Sequence, residues 1–121
     1  MNVIAAAAVA VVAALHILFL VLEMFLWKKP LGMRIFGTTP DIAAICSPLA
    51  ANQGLYNGFI AAGLIWGLVA GVSELEIQVF FLVCVVIAGV FGSVTARRSI
   101  LWYQALPGAV ALALVAVAHA R

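Results

Sequence analysis

The chain has 121 residues, of which 68% are hydrophobic and 8% charged, with a net charge of +2 and a mean hydropathy of +1.29. Soluble domains average roughly a quarter charged residues, and a chain this short cannot hide so much apolar surface in a core of its own. Composition therefore excludes a soluble domain, and a balance of six Lys and Arg against four Asp and Glu, with no basic face left outside the lipid, excludes a nucleic-acid partner.

The first apolar run covers residues 3–27 and is interrupted only by His16 and Glu23. At 1.5 Å per residue it would be about 37 Å long, enough to cross a bilayer with tilt or overhang. It is far longer than the apolar core of a signal peptide and has no basic segment before it, so it is expected to be retained as a span. Trp27 stands where an aromatic belt residue belongs, and Lys28 and Lys29 close the run at the headgroups.

Residues 28–47 form the longest loop expected. Within it Thr39, Pro40 and Asp41 read as an N-cap, a first-position proline and a first-turn acid. The stretch after them, residues 42–46, is expected to form one or two helical turns lying in the interface. Pro48 then opens a second span over residues 49–71. Ser73-Glu74-Leu75-Glu76 has the form of a capping box and starts a third span, residues 74–95, after a very tight turn. Arg97 and Arg98 mark the next turn. The fourth span covers residues 100–120, and Pro107 inside it is expected to kink the helix.

These elements predict one all-α domain, an integral membrane four-helix bundle with a short interfacial helix in the first cytoplasmic loop. Lys28, Lys29 and Arg34 lie between spans one and two, and Arg97 and Arg98 lie between spans three and four. The other side has Arg121 and the acids Glu74 and Glu76. The positive-inside bias then places both basic loops in the cytoplasm and both termini outside it, in a multi-pass protein of the bacterial inner membrane. Gly54, Gly58, Gly63, Gly67 and Gly71 recur mostly four apart along span two. Such spacing lets helix backbones approach closely, within the chain or between protomers of a homo-oligomer.

Ionisable residues inside a membrane are costly, so each one points to a role. Glu23 lies about one turn inside the cytoplasmic end of span one, with His16 seven residues earlier on the same face. Span two begins with the densest polar patch in the chain, Asn52-Gln53-Gly54-Leu55-Tyr56-Asn57-Gly58, in which Gln53 and Asn57 are four apart. Span four enters from the same side with Trp102, Tyr103 and Gln104. A cytoplasmic-side cluster of Glu23, Asn52, Gln53, Asn57, Arg97, Arg98, Tyr103 and Gln104 can thus be assembled from three helices, with His16 deeper in the bilayer.

One reading makes that cluster structural, with amides and a carboxylate holding helices together. Another makes it the polar floor of a pocket for a lipophilic small molecule. In that reading Glu23 orients the ligand or exchanges a proton with it, with Tyr103 beside it as a second acid–base group. His16, Asn52, Gln53, Asn57 and Gln104 hydrogen-bond the ligand's polar group, and Arg97 or Arg98 attracts an anionic part. A third is a proton-coupled transporter using Glu23, which predicts vesicle transport under a pH gradient. A fourth is an accessory subunit of a larger membrane complex, which predicts a foreign partner and no ligand. Cys46 and Cys84 lack CxxC spacing, so neither a disulfide nor a metal site is expected. A bis-histidine haem would need a second histidine at the depth of His16, whereas His119 lies near the opposite end of its helix as an interfacial anchor, so no cofactor is expected.

The pattern His16…Glu23-Met24-Phe25-Leu26-Trp27, then Asn52 to Gly58, then Arg97 and Gln104-x-x-Pro107 resembles a family of small bacterial inner-membrane proteins catalogued as a domain of unknown function. The likeness covers essentially the whole chain and implies four transmembrane helices, with no reaction attached. Arg97-Arg98-Ser99-x-x-x-Tyr103 is also similar to the start of span four in the membrane-associated eicosanoid and glutathione metabolism proteins (MAPEG). That likeness implies an oligomeric four-helix bundle with extracytoplasmic termini and a cytoplasm-facing site, although span two here has no Arg and no Glu. The small multidrug transporters are similar in length and in having a glutamate in span one, but theirs lies mid-membrane.

Overall fold

A computed structural model describes residues 2–120 of the chain; Arg121, the one basic residue expected on the outer side, lies outside them. Five α-helices follow in order: α1 (Val3–Met24), α2 (Pro30–Phe36), α3 (Pro40–Val69), α4 (Glu74–Thr95) and α5 (Leu106–His119). A 3-10 turn, Gly71–Ser73, precedes α4, and a π-helical turn, Leu101–Ala105, precedes α5. Among the described residues three segments are long and apolar enough to cross a membrane: Val3–Met24, Gly71–Thr95 and Leu101–His119. Helix α3, where the second span was expected, is longer than any of these, but Asn52, Gln53 and Asn57 dilute its hydropathy and keep it outside that set.

The ends of the elements explain where the expected boundaries move. Helix α1 is capped by Asn2, whose side chain accepts the Ala5 N–H at 2.8 Å. It stops at Met24, three residues before the boundary expected at Trp27, because Pro30 then opens α2 and the chain must turn between them. Sequence reading missed α2, which has proline at its first turn and ends at Gly37 in the left-handed region, φ 65°. The N–H groups of Gly37 and Thr38 both return to the Met33 carbonyl.

Helix α3 begins as the sequence signalled. Thr39 caps it through its hydroxyl, which accepts the Ile42 N–H at 3.4 Å, and Pro40 and Asp41 follow in the first turn. The interfacial turn expected over residues 42–46 is not a separate element, however. It forms the start of α3, which continues through Pro48 without a break and includes Cys46, expected in a loop. The helical piece within the loop is α2 instead. Gly71, at φ 67°, ends the run after α3. The expected capping box does not form: Ser73 makes no side-chain cap because the 3-10 turn feeds directly into α4.

Pro107 produces a π-turn. Proline offers no N–H to the Tyr103 carbonyl, and its ring crowds that oxygen. The chain widens by one residue to accommodate it, and the Leu106 N–H bonds the Leu101 carbonyl five residues back.

The described residues group into two compact units, 2–15 with 60–120, and His16–Phe59. The first has an apolar core of Val9, Val12, Leu64, Leu82, Val85, Ala111 and Val115. In α4 the buried positions are Gln78, Leu82, Val85 and Gly89, a spacing of four, three and four that matches a narrow coiled-coil seam. Small residues let the seam close: a Cβ on Gly89 would meet the Ala105 backbone, and one on Gly108 would meet Val85. Away from the seam α4 exposes Phe80, Ile87, Phe91 and Val94, the reverse of a soluble helix.

The second unit holds the end of α1, α2 and the start of α3. Trp27 has left α1, so it does not share the face of His16 and Glu23. Its indole N–H donates to the Ala43 carbonyl at 2.9 Å, and its ring packs on Phe36 at 4.9 Å, tying α2 to α3.

Candidate functional site

Within the second unit α3 turns small residues towards α1. The buried positions of α3 in this unit are Ala43, Ala50, Gly54 and Asn57, the last three again four and three apart. A Cβ on Gly54 would stand 3.1 Å from the Glu23 Cβ and 3.2 Å from the Leu20 carbonyl oxygen, so the two backbones run side by side there. Gly58 faces the tip of Leu20 in the same way. Where the sequence left the span-two glycines open between intrachain and protomer contacts, these two pack within the chain.

That close approach brings Asn57 to Glu23. The Asn57 amide Nδ2 donates to Glu23 Oε1 at 2.5 Å, a short bond. Asn57 is 7% exposed and Glu23 half-buried, and no Lys or Arg of this unit pairs with Glu23. Of the polar patch expected on α3, only Asn57 turns inward. Asn52 and Gln53 are exposed, because the buried seam passes through Gly54 and leaves position 53 at its edge. His16 is 1% exposed and meets the ring of Phe19 edge-on at 5.3 Å.

Arg97, Arg98, Tyr103 and Gln104 belong to the first unit. Both arginines are exposed in the turn after α4, Tyr103 is 56% exposed on the π-turn, and Gln104 is half-buried. Sequence reading missed two polar arrangements in this unit. Gln78 is fully buried on α4 and donates through Nε2 to the Gly67 carbonyl at 2.9 Å, while its Oε1 has no partner. His119, expected only as an anchor, places Nδ1 2.9 Å from the Val115 carbonyl and Nε2 3.2 Å from Glu74 Oε1. The sequence signal for both was a polar residue in register with an apolar seam, Gln78 one turn beyond Glu74. Among the described residues no group of three or more His, Cys, Asp or Glu is placed to hold a metal.

Comparison with known proteins places the chain among others of unassigned role. The family described as "Protein of unknown function (DUF1304)" matches over residues 10–116. An uncharacterised protein of Lactococcus lactis, YpaA, is 31% identical over 96 residues, covering 78% of this chain and 79% of its own. No solved structure matches.

Proposed function

The chain belongs to the DUF1304 family, and from that premise we propose that it is a multi-pass inner-membrane protein that binds a lipophilic small molecule at Glu23 and Asn57. In this proposal α3 is the second of four spans, both termini are extracytoplasmic and the protein is a homo-oligomer. The observation that supports the reading is the Glu23–Asn57 bond. A carboxylate on a membrane-length helix is costly to keep. An amide drawn onto it by two glycines uses only part of its hydrogen-bonding capacity, so polar valences remain available at the lipid boundary.

Native mass spectrometry of the protein released gently from its own membrane tests this. The expected result is a homo-oligomer carrying a small-molecule mass that is lost in Glu23→Gln. A bare protein, or an adduct retained in full by Glu23→Gln, overturns the reading. A larger foreign partner in place of a ligand supports an accessory subunit.

A further inference from the structure

We infer that the ligand presents a protonated amine to the Glu23–Asn57 pair, which makes it a lipophilic ammonium ion; this rests on the binding reading above. The inference comes from counting donors and acceptors. A carboxylate only accepts, whereas a primary amide has two N–H donors and one oxygen with two lone pairs. Asn57 presents Nδ2 to Glu23 Oε1, and against a carboxylate the flipped amide would set one acceptor against another. The amide oxygen is thereby turned away from the carboxylate. What remains open is Glu23 Oε2, the spare lone pair of Oε1 and the Asn57 oxygen, against a single remaining N–H. With an ammonium bound beside it Glu23 is held as the carboxylate, and the pair then presents mainly acceptors and a negative charge.

The backbone adds to the same sign. Glu23 is the penultimate residue of α1, and the last turn of that helix has no basic residue. The unpaired carbonyls at a helix C-terminus carry partial negative charge and favour a cation. Carboxylate and helix end therefore carry the same sign, with Lys28 and Lys29 following only in the turn beyond the helix. An ammonium supplies up to three N–H donors and the balancing charge. The apolar part of the ligand follows from the position of the site, on a helix whose outer face exposes Ile17 and Leu18.

The test uses full-length protein in nanodiscs of zwitterionic lipid, titrated with dodecylammonium, dodecanol or dodecanoate, which share one tail. Saturable binding is read by native mass spectrometry. Dodecylammonium should bind roughly tenfold or more tightly than either analogue, and Glu23→Gln should erase that preference. Glu23→Asp, which keeps the charge, should retain it and so controls for a variant that fails to fold. Equal binding of dodecanol, or preference for dodecanoate, in a site still sensitive to Glu23→Gln overturns the ammonium assignment and leaves the pocket standing. No saturable binding of any probe overturns both.

Discussion

Replacing Gly89 by alanine tests how the seam between α4 and the π-turn is held. An added Cβ would lie 2.7 Å from the Ala105 Cα and 2.8 Å from its Cβ. Carbon atoms prefer about 3.5–4.0 Å, so α4 and the π-turn must part by about 1 Å. The obstacle is backbone, which cannot rotate aside as a side chain does. Overpacking of this kind costs about 1–3 kcal/mol, against a gain of roughly 0.5–1 kcal/mol from replacing a helical glycine. The net loss should fall between about 0 and 2.5 kcal/mol, towards the upper end because backbone is the obstacle. Gly92→Ala is the matched control, since its Cβ would meet only Ile100 side-chain atoms, the nearest at 3.3 Å. There the helical gain should prevail. Thermal unfolding of both variants in detergent, followed by far-UV circular dichroism, should rank Gly92→Ala at or above wild type and Gly89→Ala clearly below. Gly89→Ala as stable as Gly92→Ala would refute the account of the seam.

Trp27→Phe keeps the ring against Phe36 but loses the N–H donated to Ala43, so it should cost about 1 kcal/mol in the same assay. Gln78→Met takes a donor from the Gly67 carbonyl but also removes a buried acceptor without a partner, and these opposed effects should keep its stability within about 1 kcal/mol of wild type. A large loss would mean that Oε1 is paired in the membrane. Gly71→Ala should lose about 1–2 kcal/mol despite open space around it, because its φ of 67° is left-handed; an unchanged unfolding temperature would contradict this. Alkaline phosphatase fused after the last residue should be active in a bacterial host, and a fusion in the turn at Arg97 inactive. The reverse pattern would overturn the proposed orientation.

The elements that local chemistry controls were legible in the chain. Thr39-Pro40-Asp41 started a helix where it should, because a cap, a proline and an acid act within one turn. The apolar runs marked α1, α4 and the last helix, since the bilayer reads composition directly. Membership of a family of unknown function was legible too, in the run from Asn52 to Gly58. The rest depended on partners distant in sequence. Whether Pro48 opened a helix or lay inside one was decided by α3 as a whole. Only packing selected Asn57 over Gln53: the two lie 40° apart on a helical wheel, and the narrow seam through Gly54 admits one and not the other. The polar stretch could announce that hydrogen bonds would form there, but the close approach of α1 and α3 at a glycine determined that Glu23 receives one from Asn57.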